Sequence, residues 1–514
     1  MFDSDGAIKR QSLTFYNVLI VCLVSMGSIA YGWANSIIAT TLAQPSFISY
    51  FRLGTSSNAT DLISTMNGLY QAGGFFGSIM LPTIADKWGR KAALVTSATI
   101  VLVSGALLAG SVHVAMFIVF RFFSGFGSYM LLTAISLYLS EVVPPALRAG
   151  LMEVNAFGYQ FGYTASSWTG LGFYFWKSNN GNEWRPPLAI TCFWALLFLA
   201  GMYFVPESPR YLVFHDRIDE ARDILEKLHD RSGEGDHTFA RAELYQIQKQ
   251  VAIDQVLGSS WLHVFRRHSY RLRALYIIGT IVICQCSGSL VINNYGPTLY
   301  EGLGYSTTHQ LLYQCGWITM SLGLVIISGL IIDRFPRPKF MCVGLMICMS
   351  CLIVEAAIIA NFKDSNNYDA LRAGVAMLFV YQIGLCIFLD GILFTYMSEI
   401  FPMHLRAKGT SIGMATFCVQ NIVWLQSAPS AFKSIGWKFY LVFIIPGCLG
   451  AILMWFTFPD TNGLPLEEIA ALFGDAEEVA VYQQEIDIDR NTWTITDHHE
   501  KGDKEGHVET QEAV

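Results

Sequence analysis

Charged side chains are scarce in this sequence. Asp, Glu, Lys and Arg make up only 14% of its 514 residues, against about 25% in an ordinary soluble domain. With 53% hydrophobic residues, the chain is too apolar for a water-soluble globule and belongs in a lipid bilayer. No glycine-rich loop ending in Lys-Ser/Thr is present, which sets aside an ATP-driven pump. No basic patch suits nucleic acid. The eleven cysteines all fall in apolar stretches and read as small packing residues, so neither a disulfide framework, a metal site nor any other cofactor is expected. Residues 1–13 are polar and no cleavage pattern follows, so the first apolar run is expected to stay as a transmembrane helix.

The sequence repeats itself in order. Ser140-Glu-Val-Val-Pro-Pro-Ala-Leu-Arg-Ala149 returns as Ser398-Glu-Ile-Phe-Pro-Met-His-Leu-Arg-Ala407, with six of ten positions identical. Asp86-Lys-Trp-Gly-Arg-Lys91 is echoed by Asp333-Arg-Phe-Pro-Arg-Pro-Lys339, and Pro206-Glu-Ser-Pro-Arg210 by Pro459-Asp-Thr-Asn-Gly463. The same order in both parts argues for two parallel structural repeats, an arrangement known in carriers that alternate access around a site at the repeat interface.

Twelve apolar runs are each long enough to cross roughly 30 Å of hydrocarbon. They lie near 15–38, 62–84, 92–112, 115–139, 150–173, 187–205, 272–296, 309–332, 339–360, 371–398, 408–430 and 437–458. The expected fold is an all-α membrane protein of twelve transmembrane helices in two six-helix halves, at 15–206 and 272–458. A cytoplasmic N-terminus (1–14), a cytoplasmic helical linker (207–271) and an acidic, disordered cytoplasmic tail (459–514) complete the division. In the linker, Ile218, Ala221, Ile224, Leu225 and Leu228 recur at helical spacing. With the N-terminus inside, 25 of the 33 basic residues lie in the inner segments or at the inner ends of spans, seven lie in the outer segments or at outer ends, and Arg121 lies mid-span. This bias puts both termini in the cytoplasm. From Asp460 onward fifteen acidic residues face three basic ones, a composition that favours disorder. Asn58-Ala-Thr60 is a glycosylation acceptor in the first outer loop.

Carboxylates and guanidiniums recur in register at the inner ends of the helices. Isolated charges at the membrane edge are costly, but paired ones can latch neighbouring helices. The expected cytoplasmic gate is Asp86, Arg90, Glu141, Arg148, Glu207 and Arg210 in the first half, with Asp333, Arg337, Glu399, Arg406 and Asp460 in the second.

These motifs resemble the major facilitator superfamily, and more narrowly its sugar porter family. The matching residues are Asp86-x-x-Gly89-Arg90-Lys91, Arg121-x3-Gly125-x-Gly127, Glu141 to Arg148, Val205-Pro-Glu-Ser-Pro-Arg210, Asp333 to Arg337, and Ser398-Glu-Ile-Phe-Pro402 with Arg406-Ala-Lys-Gly409. Gln285-x-Ser287-Gly288 with Asn294-Tyr295 and Pro297 looks most like the fungal hexose and lactose permease branch. Pro336 departs from the family's loop glycine, and Asp460 and Asn462 from its closing Glu and Lys.

The resemblance implies that Gln160 and Gln285 bind substrate. Asn293, Asn294, Gln420 and Asn421 are further amides in apolar spans, where an unpaired amide is expensive and tends to face a cavity or a neighbouring helix. Amides and aromatic faces suit a sugar's hydroxyls and C–H surfaces. Cys284, Leu290 and Phe394 stand where the family carries polar or tryptophan contacts, so a more apolar pocket is expected. Proton-carrying relatives pair a first-span Asp with the span-four Arg. Here Gly32-Trp33-Ala34-Asn35 lacks that Asp while Arg121 remains, leaving Glu355 and Asp390 as candidate coupling groups. The implied function is carriage of a sugar, facilitated or proton-coupled, with no chemical step. A quinate-like acid or secondary metabolite as solute, and a non-transporting sugar sensor, are the rivals. The plasma membrane is the expected location.

Overall fold

The computed structural model describes residues 14–42, 44–53, 59–143, 148–176, 181–229, 238–257, 260–294, 307–362, 368–464, 468–475, 486–488, 494–497 and 511–512. Asn58 lies outside them. Each of the twelve expected spans falls on helix. In the first half these are α1 (Phe15–Leu42), α3 (Ala59–Trp88), α4 (Arg90–Ala109), α5 (Val114–Val142), α6 (Arg148–Phe175) and α7 (Arg185–Gly201), with the short α2 (Pro45–Tyr50) between α1 and α3. In the second half they are α12 (His268–Gln285) continued by α13 (289–294), α14 (Thr307–Ile331), α15 (Arg337–Phe362), α16 (Tyr368–Phe388) continued by α17 (Asp390–Glu399), α18 (Met403–Ile435) and α19 (Leu441–Thr457). Large apolar side chains such as Phe15, Phe204, Leu330 and Phe456 stay exposed on the outside of this bundle, which suits contact with lipid rather than water.

Two spans are broken, and both breaks expose backbone or side-chain groups to the centre. After Gln285 the chain turns through Cys286 and Ser287 to Gly288, whose φ of +77° is a conformation glycine adopts at no steric cost. The break frees the Ser287 carbonyl to accept from the Tyr381 hydroxyl at 2.9 Å. Between α16 and α17 the helix is interrupted at Leu389 (φ −121°, ψ −37°), which places Asp390 in the first turn of α17, where the helix dipole favours a carboxylate.

The halves meet chiefly where α3 packs on α18 and α6 on α14, with α5 and α6 also touching α17. Between them in sequence lie α8 (Pro209–Phe214), α9 (Ile218–His229), α10 (Thr238–Leu257) and α11 (Trp261–Arg266). On α9 the helical stripe behaves as its spacing predicts: Ala221, Leu225 and Leu228 are buried. Its last turn is tied to α1, because the Thr14 hydroxyl and the Asn17 amide both donate to the Leu228 carbonyl, at 2.9 and 2.8 Å, satisfying an acceptor the helix end leaves open.

The tail is more ordered near the bundle than its composition suggests. A 3-10 turn at Glu468–Phe473 leads to Asp475, which ion-pairs with buried Arg273 at 2.6 Å and with Arg267 at 3.2 Å. Arg273 also stacks over the Phe473 ring, 4.9 Å from its centre. Opposite charge and an aromatic face thus hold a segment that hydropathy alone would leave in water. Further on, β1 (Ile486–Ile488), β2 (Thr494–Asp497) and β3 (Gln511–Glu512) pair antiparallel.

Candidate solute cavity and gate

At the junction of the halves lies a cavity of about 90 Å³, with Tyr31, Tyr159, Gln160 and Tyr163 on one wall and Gln285, Asn293, Trp317, Gln382, Asp390 and Phe394 on the other. The tyrosines form an edge-to-face set. Tyr31 lies 5.3 Å from Tyr129 and 6.3 Å from Tyr159, and Tyr159 lies 6.0 Å from Phe394. Such rings offer flat apolar faces with polar rims.

Polar links cross the junction beside this cavity. The Gln160 amide of α6 donates to the Asp390 carboxylate of α17 at 2.5 Å. Elsewhere the Gln285 amide donates to the Asn421 carbonyl oxygen at 3.1 Å, and the Asn421 amide donates to the Gln71 carbonyl oxygen (3.4 Å) and the Tyr129 hydroxyl (3.5 Å).

The expected site residues therefore separate. Gln160, Gln285, Asn293 and Asp390 line the cavity, and Asn421 is fully buried one hydrogen bond behind Gln285. Asn294 instead donates to the Leu290 carbonyl of its own helix, and half-buried Gln420 is outside the lining. Glu355 is buried in α15 against Gly374, also outside the lining. Among the described residues Arg121 meets no carboxylate: it donates to the Ala34 carbonyl at 3.0 Å and stacks over Tyr70 at 4.2 Å. Asn35 turns elsewhere, donating to the Tyr163 hydroxyl at 2.9 Å. Cys284, Leu290 and Phe394 all line the cavity and make that wall apolar.

Sequence reasoning missed Gln382, Gln314, Gln71 and Glu153. The first two are amides in apolar spans and answer to the rule that selected the others. Gln314 donates to the Asn293 carbonyl at 2.9 Å. Glu153, near the start of the fifth span, is buried and accepts from the Ser328 hydroxyl at 3.2 Å.

At the end of the bundle next to α8–α11, the repeated motifs form two matching clusters. Arg90 holds Glu141 through several N–H···O bonds of 3.0–3.2 Å, and Ser208 donates to the same carboxylate at 2.5 Å. Arg337 ion-pairs with Glu399, which also accepts from Thr461 at 2.8 Å. Glu207 accepts from the backbone N–H groups of Arg90 and Lys91 (3.0 and 3.1 Å), and Asp460 accepts from that of Arg337 (3.0 Å). The two carboxylates cap α4 and α15 in the same way. Burial pushes the Glu207 carboxyl up, against the pull of the Ser208 and Lys91 N–H groups. Asn462 bridges the Asp333 and Phe335 carbonyls at 3.2 Å each, a role open to an amide and unlike an ion pair.

Three contacts join the clusters across the junction. Arg148 reaches Glu399 at 3.3 Å, Lys408 reaches Asp86 at 3.0 Å, and the Gly150 N–H donates to Asp333 at 2.8 Å. Arg406 bears electrostatically on Glu141 from the other half. Arg210 donates to the Glu141 backbone carbonyl and ion-pairs with Glu243 of α10 at 3.6 Å, linking this cluster to the helices between the halves. These contacts tie the two halves together at this end of the bundle.

Residues 20–473 match the model of a family described as "Sugar (and other) transporter". The chain is 28% identical to an MFS-type transporter, criB, of Aspergillus cristatus, covering 89% of this chain and 93% of that one. It is 25% identical to a high-affinity glucose transporter of Kluyveromyces lactis (92% and 88% covered) and 26% identical to a quinate permease of Emericella nidulans (91% and 90%). Among solved structures it resembles the proton:xylose symporter XylE of E. coli bound to 6-bromo-6-deoxy-D-glucose, with a TM-score of 0.78, 22% identity, and 89% and 99% of the two chains covered.

Proposed function

The chain belongs to the sugar (and other) transporter family, and on that premise we propose that it carries a sugar, a monosaccharide or small disaccharide, across its membrane by alternating access. The solute crosses chemically unchanged. The observation that supports this most is the placement of amides and aromatics from both halves around one hollow, with one end closed by contacts that span the junction. Gln160, Gln285 and Asn293 act as hydrogen-bonding groups to solute, and the tyrosines pack on its C–H face. Asn421 positions Gln285. The gate residues close the cytoplasmic end, and both termini lie in the cytoplasm, a placement that the distribution of Lys and Arg favours. The plasma membrane is the proposed location.

A second reading keeps the carrier and changes the solute to a quinate-like acid or a secondary metabolite. The apolar wall of Cys284, Leu290 and Phe394 favours it, as does the likeness to a quinate permease. Uptake of labelled glucose, xylose, a disaccharide and quinate into vesicles carrying the protein separates the readings. Saturable sugar uptake supports the first, quinate uptake with no sugar uptake the second, and a sensor would move none of them.

A further inference from the structure

The cavity carries charge of one sign. Among the described residues that line it, Asp390 is the single carboxylate, and no Lys, Arg or His is present. Asp390 opens α17 and is only half-buried, so its carboxylate can be reached from the hollow. It accepts from the Gln160 amide at 2.5 Å and bears electrostatically on Tyr159 and Tyr163. A second acid stands behind it. A Cβ added to Gly391 would overlap the Glu153 carboxylate, so that group rests on the first turn of α17 and deepens the negative potential. Two buried arginines of the first half are engaged elsewhere: Arg148 with Glu399, and Arg121 with the Ala34 carbonyl and the Tyr70 ring. On the opposite wall Gln382 donates its amide to Ser321 and Cys386, which leaves its Oε1 without a donor on a residue 2% exposed. Aromatic rings complete the lining: Tyr31, Tyr159, Tyr163, Trp317, Phe394 and Phe417. Tyr159 stands 6.0 Å from both Tyr163 and Phe394.

We propose that the solute is cationic: Asp390 and the rings around it receive a protonated amine, and the sugar carried is an amino sugar. The inference rests on the sugar-carrier reading above and names the class of sugar. An ammonium brings three donors and no acceptor, which matches a wall whose open positions are the Asp390 carboxylate and the Gln382 carbonyl oxygen. Aromatic faces attract a cation as well as C–H groups, so the rings serve both the amine and the sugar body. A buried charge without a partner is costly. Even where one proton is held between Asp390 and Glu153, one negative charge remains, and a single ammonium offsets it. A neutral sugar can fill the same hydrogen bonds but leaves that charge uncompensated. An acid such as quinate would set its own carboxylate against Asp390 with no basic lining residue to receive it, and repulsion of that kind is how a site rejects a competitor. The amides Gln160, Gln285 and Asn293 are left for the hydroxyls, which is why an amine on a hydroxylated ring fits better than an amine on a purely aromatic body.

The test uses the full chain in liposomes, with labelled D-glucosamine, D-glucose, quinate and tryptamine in counterflow at about pH 6, below the pKa of an aliphatic amine. The wild-type protein should prefer D-glucosamine to D-glucose by about 10-fold or more in kcat/KM, the worth of a hydrogen bond to a charged group, and should not carry quinate. Asp390→Asn keeps an oxygen for the Gln160 amide and removes the charge, so it should erase that preference. D-Glucose carried as well as D-glucosamine, or quinate carried in preference to both, overturns the proposal and leaves the carrier reading intact. Tryptamine carried in preference to D-glucosamine overturns the amino-sugar assignment. Counterflow of none of the four counts against the carrier reading, and binding then decides the proposal separately. Protection of the detergent-solubilised chain against thermal unfolding by D-glucosamine, stronger than by D-glucose and lost in Asp390→Asn, supports the cation site. Equal protection by the two sugars, or none, overturns it. Where Asp390→Asn does not fold, the wild-type preference between the two sugars settles the matter alone.

Discussion

Arg148 and Glu399, 251 residues apart, meet at 3.3 Å across the junction between the two halves, both side chains almost wholly buried. The pair is a cross-half member of a cluster that also contains the Arg337–Glu399 contact. Removing one partner of a buried ion pair costs about 3–5 kcal/mol. Because Arg337 still neutralises Glu399, Arg148→Ala should fall at the lower end, shifting the balance towards the open gate by about 100-fold. Hydrogen exchange at the Glu399 end of α17 should accelerate accordingly. An Arg148/Glu399 double-mutant cycle should show strong coupling, and additive effects would remove the pair from the gate.

Lys408–Asp86 is the weaker counterpart, since the Asp86 side chain is 33% exposed. Lys408→Ala should cost about 0.2–1 kcal/mol and change transport rate only a few-fold. Raised salt should mimic it in the parent protein, and a rate loss as large as that of Arg148→Ala would contradict this ranking.

In the cavity, Gln285→Ala removes a lining amide and leaves buried Asn421 short of a donor. A loss of about 1–2 kcal/mol should raise the transport KM about 5–30-fold. Gln420→Ala, outside the lining, should leave KM within about twofold of the parent value. Initial-rate uptake with the identified solute checks both.

Acid should loosen the linker helices at a predictable point. Burial pushes the Glu243 carboxyl up, but the bond and charge of His229 and the charges of Arg210 and Arg148 outweigh it and hold the group at about 2. A value lowered by folding means that the ionised form stabilises the docked helices above about pH 4, and that this contribution fades as pH falls towards the folded value. Hydrogen exchange of α9 and α10 should therefore rise between about pH 4 and the lower value. In Glu243→Gln exchange should already be fast at neutral pH, without the acid step.

The spans, the paired motifs at their ends and several of the amides that line the cavity could be read in the sequence because each leaves a one-dimensional trace. Apolar runs announce spans, and charges in register announce the motifs at their ends. Gln160 and Gln285 stand out as amides among apolar neighbours. What could not be read depends on which helix faces which. Asn294 and Asn293 are adjacent in sequence, yet one serves its own helix and the other the cavity. Arg121 was short of a partner on paper and found a backbone carbonyl and a ring instead. Glu153 passes as an end-of-helix charge until α17 is seen to bring Asp390 beside it. The 468–475 segment looks like the rest of an acidic tail until Arg273 is placed opposite it.

That docked segment bears on how the protein is handled at the bench. A chain cut ahead of Asp475 would strip the carboxylate from a guanidinium sealed inside the base of α12, so the damage would register in the seventh span rather than in the trimmed appendage. Reporters and affinity handles intended to be silent therefore belong beyond Asp475, and poor yield from a version cut ahead of it would be evidence of an unfastened helix, not of a lost signal.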